Sequence, residues 1–266
     1  MARALRLAER GQYTAHPNPM VGCVLVKDDA IVGEGWHEKM GEAHAEVNAL
    51  RRAGEAARGS TAYVTLEPCS HHGKTPPCSE ALIKAGVRKV IAAVQDPFQK
   101  SSGHGLERLL EAGIEVQSGL MQSAAEELNR GFLMRAARQR PFVRLKLAAS
   151  IDGAISMASG ESQWITSPAA RADVQRLRAR SGAIMTGIGT VLADDPSLTV
   201  RAADIETGGI QPIRVVLDCH LRIPISAAML SLEGTTLVCC TGDHDATHLL
   251  SSNAEVVSFS SVDGRV

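Results

Sequence analysis

The chain has 266 residues, of which 44% are hydrophobic and only 3% aromatic, and its formal net charge is −1. That length suits two domains, each long enough to bury its own, mostly aliphatic, core. The balanced charge, with Lys and Arg spread along the chain, argues against a nucleic-acid partner, and no apolar run is long enough for a membrane span.

Residues 1–11 read as a short amphipathic helix ending at Gly11, without the long apolar stretch of a secretory signal. VGCVLV (21–26) and IVGEG (31–35) read as strands joined by the turn residues Asp28 and Asp29. Residues 44–58 place Ala49, Leu50 and Ala53 on one helical face, closed by Gly59. TAYVTL (61–66) follows as a strand, SEALIKAG (79–86) as a helix, and VRKVIAAV (87–94) as an apolar strand suited to a sheet centre. A helix over 105–112, a strand over 114–118 and a helix over 121–137 come next. The basic stretch from Arg135 to Arg140, followed by Pro141, marks the expected boundary between a first domain (1–140) and a second (141–266). There FVRLKLA (142–148) reads as a strand, and Ser167-Pro168 supplies an N-cap and first-turn proline for a helix through Ala179. AIMTG (183–187), IRVVLD (213–218) and TTLVCC (235–240) read as further strands. Strands alternating with helices predict an α/β fold with a partly parallel sheet.

The six cysteines (Cys23, Cys69, Cys78, Cys219, Cys239 and Cys240) are not spaced like a disulfide framework. They suit a reducing compartment, here the cytoplasm, where a clustered pair serves metal binding or catalysis. His44 opens a helix, Cys69 follows a strand, and Cys78 opens the next helix. Together they offer the N/S donors that zinc prefers, and a catalytic zinc keeps its fourth position for water. Helix N-termini facing the site favour the thiolate form that binds metal. Glu46, two residues from His44, is placed to take a proton from the attacking water and pass it to a leaving amine. His44-Ala45-Glu46 and Pro68-Cys69 match the H-x-E and P-C parts of the zinc-deaminase pattern. The second cysteine departs from it, because residues 70–77 intervene. His71 and His72 offer a fourth ligand for a purely structural zinc, a use for which Glu46 would be superfluous. A deaminase of tRNA or single-stranded DNA would want a basic, aromatic groove that this composition lacks. A zinc-stapled binding scaffold is the non-enzymatic alternative, separable by metal analysis and a deamination assay.

HAEVNAL (44–50), TLEPCSHHGKTPPC (65–78) and HPNPMVGCVLV (16–26) resemble the bifunctional deaminase–reductase family of riboflavin biosynthesis. LKLAASIDG (145–153), SGESQWITS (159–167), residues 177–201 and PIRVVLD (212–218) extend the resemblance, in the family's order, over essentially the whole chain. It implies a cytidine-deaminase-like domain followed by a dihydrofolate-reductase-like domain. The first would hydrolyse the 2-amino group of a diamino-ribosylamino-pyrimidinone 5′-phosphate, and the second would reduce the ribosyl group to ribityl with NADPH. NADPH contacts would fall on Ala148, Trp164, Thr190 and Asp194, and phosphorylated-sugar contacts on Ser162, Arg178, Leu198 and Arg201. Arg178 and Arg201 suit that role because a guanidinium binds phosphate bidentately. On the deaminase side Lys74 is a candidate phosphate partner, Asn18 a candidate for the pyrimidine edge and His71 a stacking or donating group; Trp36 and His37 are candidate walls. Gly187-Ile188-Gly189 after a strand is a weak sign of backbone approaching phosphate. Cys219 stands where the family usually has Ser or Thr. Family members also continue past the position of Val266, so the second domain is expected to be incomplete at its C-terminus and to reduce poorly or not at all, the alternative being a deaminase alone with the second half as an assembly module; the enzyme is expected to be a homo-oligomer.

Overall fold

The computed structural model describes residues 1–71, 76–98 and 102–260. The chain divides into two compact units, Met1–Lys146 and Leu147–Val266.

In the first unit, α1 (Ala2–Ala8) precedes the hairpin of β1 (Gly22–Lys27) and β2 (Ala30–Trp36). The hairpin turns on Asp28 and Asp29, both left-handed at φ 48° and 59°, the pair of conformations a two-residue turn needs and that Asp tolerates. Then come α2 (Ala45–Ala53), β3 (Thr61–Val64), α3 (Cys78–Ala85), β4 (Lys89–Ala92), α4 (His104–Glu111), β5 (Glu115–Ser118), α5 (Gln122–Leu128) and α6 (Arg130–Arg138). The sheet order is β2-β1-β3-β4-β5. β1 is antiparallel to both neighbours, while β3, β4 and β5 run parallel, with α3 and α4 as crossovers. The core between sheet and helices is aliphatic, including Leu25, Val64, Leu82, Val90 and Leu109.

Two glycines bring α2 hard against β2. A Cβ built on Gly33 or Gly35 would lie 2.4 Å from the carbonyl oxygen of Ala49 or Ala45, respectively. The helix can sit at this depth only because β2 presents bare backbone there, and that depth fixes where its first residues point.

Two expected helices are interrupted. α2 stops at Ala53 because Gly54 takes a positive φ, and the chain continues as a 3-10 turn over Gly54–Ala57 rather than as helix to Gly59. The helix expected over 121–137 breaks at Asn129, whose side chain leaves the helix to bond the Met20 backbone. Its Oδ1 accepts from Met20 N at 2.8 Å, and its Nδ2 donates to Met20 O at 2.9 Å.

The second unit contains α7 (Pro168–Ala179), β6 (Ala183–Gly187), α8 (Ile188–Asp194), β7 (Ile213–Leu217), β8 (Thr236–Thr241) and β9 (Ala254–Phe259). α7 is capped as its sequence reads: Ser167 Oγ accepts from Ala170 N at 3.2 Å, with Pro168 at the first position. The four strands form a parallel sheet in chain order. Arg214, fully buried, donates to Thr236 Oγ1 and to the carbonyls of Leu232, Glu233 and Gly234, holding the turn that leads into β8.

The strand expected over 142–148 is absent. Val143, Leu145 and Leu147 alternate as a strand face should, but no ladder partner meets them among the described residues, and they are 80%, 81% and 73% exposed. Alternation alone does not make a strand without a neighbour to accept its hydrogen bonds. Conversely, α8 and β9 were not anticipated. α8 contains Gly189, a poor helix former, and is held by burial of Ile188 and Val191, while β9 is apolar only in part.

Candidate functional site

His44 immediately precedes α2, Cys78 is the first residue of α3, and Cys69 lies on the loop that leaves β3. The ligand atoms of these three residues all fall within 4.8 Å of one another. His44 Nδ1 stands 3.2 Å from Cys78 Sγ and 3.6 Å from Cys69 Sγ, and the Cys78 backbone N–H donates to Cys69 Sγ at 3.3 Å. An opening helix amide aimed at a sulfur is the arrangement that favours thiolate.

The titration of the cluster follows from this geometry. The hydrogen bond from the Cys78 thiol, helped by His44, pulls the Cys69 thiol down to about 4. Cys78, the donor of that bond and buried, is pushed well above the ordinary range, and the Cys69 contact raises His44. Glu46, 3% exposed, is raised to about 7, first by burial and then by the negative Cys69. One imidazole nitrogen and two sulfurs in this spacing are a donor set that fits zinc.

Glu67 sets the position of the Cys69 loop, a role the sequence reading missed. Its buried carboxylate accepts from the backbone amides of Asp96 (3.1 Å), Gly103 (3.1 Å) and Gly105 (2.9 Å). A Cβ on Gly105 would lie 1.9 Å from the Pro68 carbonyl oxygen, so α4 begins in direct contact with the Pro68-Cys69 backbone.

A cavity of about 280 Å³ opens on the cluster, lined by His44, Glu46 and Cys69 together with Asn18, His37 and His71. His37 is buried and held below its usual range chiefly by that burial. As the neutral ring its Nδ1–H donates to Ala43 O at 3.3 Å, leaving Nε2 to accept from Asn18 Nδ2 at 3.0 Å. Asn18 therefore turns its amide in a defined sense, with its carbonyl oxygen free of that bond. Trp36 does not line the cavity; the guanidinium groups of Arg10 and Arg52 stack over its ring, at 4.9 and 5.0 Å from its centre. Asp96, Phe98, Phe132 and Arg135 also line it and were not singled out from sequence. The only sign of Asp96 was its place past the carboxyl end of a parallel strand, and Arg135 appeared merely as part of a basic run. Lys74 and His72 lie outside the described residues.

In the second unit, Arg178 donates to Thr199 O at 3.0 Å, and burial, then the charge of Arg201, lowers its pKa. The Arg201 backbone N–H donates to Gln175 Oε1 at 2.9 Å, and its guanidinium donates to Ser197 Oγ, next to the buried Leu198. Arg178, Leu198 and Arg201 are thus brought together. Thr190 and Asp194 are one turn apart on α8. Ala148, Ser162 and Trp164 lie on the irregular segment before α7, where Trp164, 68% exposed, stacks against Arg171. Asp218, fully buried just past β7, has an Oδ1 with no hydrogen-bond partner among the described residues. Arg222 Nε stands 3.9 Å from that oxygen as an ion-pair partner, and ligands of open parallel sheets bind at this carboxyl edge.

Comparison with known proteins agrees with both halves. Residues 1–94 match the cytidine and deoxycytidylate deaminase zinc-binding region, and residues 141–264 match the RibD C-terminal domain. The riboflavin biosynthesis protein RibD of Escherichia coli K12 is 61% identical over 245 residues, covering 89% of this chain and 67% of that protein. The Haemophilus influenzae protein of the same name is 56% identical over 232 residues, covering 84% and 62%. The chain spans about two thirds of the length of these relatives. Among solved structures, Acinetobacter baumannii RibD superposes with a TM-score of 0.91 at 49% identity, covering 98% of this chain and 73% of that one. A Thermotoga maritima diaminohydroxyphosphoribosylaminopyrimidine deaminase/5-amino-6-(5-phosphoribosylamino)uracil reductase gives 0.83 at 38% identity, covering 90% and 68%. The first unit is accordingly a cytidine-deaminase-like zinc-binding domain and the second a RibD reductase domain of dihydrofolate-reductase type, and the chain belongs to the RibD family of riboflavin biosynthesis proteins.

Proposed function

We propose that the first unit hydrolytically deaminates a phosphorylated ribosylaminopyrimidine and that the second reduces the ribosyl side chain with NADPH, successive steps of riboflavin biosynthesis. The observation that carries the reading is a buried carboxyl, Glu46, opening into the same cavity as the His44–Cys69–Cys78 cluster. His44, Cys69 and Cys78 would hold zinc, which when bound supplies Lewis-acid activation of water at neutral pH. Glu46 takes the proton from the attacking water and returns it to the amine that leaves. A buried carboxyl that opens into the same cavity as the metal-type cluster is placed to serve both directions of that transfer. Asn18, oriented by His37, meets the polar edge of the ring, with Phe98 and Phe132 as apolar walls.

In the second unit Ala148, Trp164, Thr190 and Asp194 would contact NADPH, the hydride donor, and Ser162, Arg178, Leu198 and Arg201 the phosphorylated sugar. Arg178 and Arg201 both donate to the 197–199 segment, which supports the latter, since guanidinium groups gathered on one segment suit an anion. The same reading places the protein in the cytoplasm as a homo-oligomer. It fits six cysteines of which none is in a disulfide, and a described chain in which no helix is long and apolar enough to cross a membrane.

The test is ammonia release from the diaminopyrimidine phosphate by the purified, zinc-loaded chain. Glu46→Gln keeps the shape and the metal and removes the base, so turnover should fall by about 10²–10⁴-fold at unchanged zinc content. Turnover near that of the parent would remove Glu46 from the mechanism.

A further inference from the structure

We propose that Arg135 is a specificity-determining residue of the first unit, gripping the substrate's phosphate at the open rim of the deaminase cavity. The inference rests on the reading of that unit as a deaminase of a phosphorylated substrate. Arg135 follows Phe132 by one turn of α6, and both side chains line the cavity. The helix that carries them is fixed. Asn129, just before it, is bonded twice to the Met20 backbone, two residues from Asn18, and Phe132 and Leu133 pack against the cluster of Leu5, Leu66, Ala93 and Val94.

Among the described lining residues Arg135 is the sole Lys or Arg. The acidic lining groups are spoken for: Glu67 holds backbone amides, Asp96 accepts from Phe98 N at 2.9 Å, and Glu46 is buried beside the metal cluster. Arg130, on the same helix, is ion-paired with Glu127, whereas no acidic partner meets Arg135 among the described residues. Its neighbour is His16, held below its usual pKa by desolvation and then by the Arg135 charge, and so not a competing cation. Arg135 is exposed while Glu46 and Cys78 are buried. That order suits the substrate, because a phosphate dianion is costly to dehydrate and stays at the rim, whereas the ring must reach the dry interior. A guanidinium can bind it bidentately.

Arg135 also lies in the last turn of α6, where a positive charge complements the helix dipole, but Arg138 shares that role. The two are separated by measuring deamination of the phosphorylated substrate and of its phosphate-free form by the zinc-loaded 266-residue chain and its variants. Arg135→Ala should raise KM for the phosphorylated substrate about 10–100-fold, the range for a lost charge-assisted bond, and leave the phosphate-free form nearly unchanged. Arg135→Lys should recover part of the loss, since it keeps the charge but not the fork, and Arg138→Ala should match the parent. Equal losses on both substrates, or like losses in the Arg135→Ala and Arg138→Ala proteins, would overturn the proposal. If the parent chain deaminates neither form, the deaminase reading fails by itself. Titration with ribose 5-phosphate then decides the anion site: binding lost in Arg135→Ala and kept in Arg138→Ala supports it, and binding indifferent to Arg135 sinks it.

Discussion

Glu46 works against the stability of the domain it serves. A carboxyl that is 3% exposed and raised to about 7 prefers to be protonated when folded, whereas in the unfolded chain it ionises near 4.5. Its contribution to stability is complete below pH 4.5 and is lost as pH rises through about 7. At pH 8 the metal-free unit therefore carries a penalty of up to roughly 3 kcal/mol, by the conversion of pKa shift to free energy. Urea denaturation of the metal-free chain should show the Glu46→Gln protein more stable than the parent at pH 8 and nearly equal to it at pH 4.5. A Gln variant no more stable at pH 8 would mean that the carboxyl is not desolvated as the structure has it. At this scale the sequence was most legible. His44, Glu46, Cys69 and Cys78 stand out because zinc demands particular donor types, and these sit at two helix starts and just past a strand, places that can be read locally. Glu67, Asp96 and Arg135 did not, because a Glu before Pro or an Arg in a basic run has a dozen ordinary uses.

At the scale of elements, the seat of α2 on β2 governs the site. Gly33 and Gly35 let the helix backbone approach the strand, and His44 and Glu46 stand on its first turn. Gly35→Val would drive a side chain into the Ala45 carbonyl. It should cost at least about 1–3 kcal/mol, as overpacking does, and should weaken zinc affinity because His44 moves with the helix. Gly131→Ala, on α6 with nothing within 4 Å, is the control and should be neutral or slightly stabilising. Chemical denaturation and competition with a chromophoric chelator read both effects. Zinc affinity unchanged in Gly35→Val would show that His44 does not depend on the depth of α2. The short apolar run VGCVLV beside the turn pair Asp28-Asp29, and the capping pair Ser167-Pro168, identified their elements correctly, since turn signals and caps are local. The expected strand 142–148 did not form, because a strand depends on a partner its own residues do not specify. The break at Asn129 was invisible because its cause, the Met20 backbone, lies more than a hundred positions away.

At the scale of the whole molecule, each unit has its own hydrophobic cluster, and only the first contains the metal-type cluster among the described residues. Metal binding is folding free energy for the unit that holds it. Chelation should therefore lower the first unit's thermal transition by several degrees and leave the second's in place. Calorimetry in which both transitions shift together would contradict that division. Composition, periodicity and motif order by themselves determined the α/β class, the zinc-type donors and the family resemblance. Each of these is written in residues that are neighbours in the chain or that repeat at a backbone period. Which side chains face one another across the cavity was decided only by tertiary structure. Asn18, Glu46, Asp96 and Arg135 come from a loop, a helix, the loop beyond β4 and a last-turn helical position, and they line one cavity because the close packing of the elements between them brings these distant stretches together.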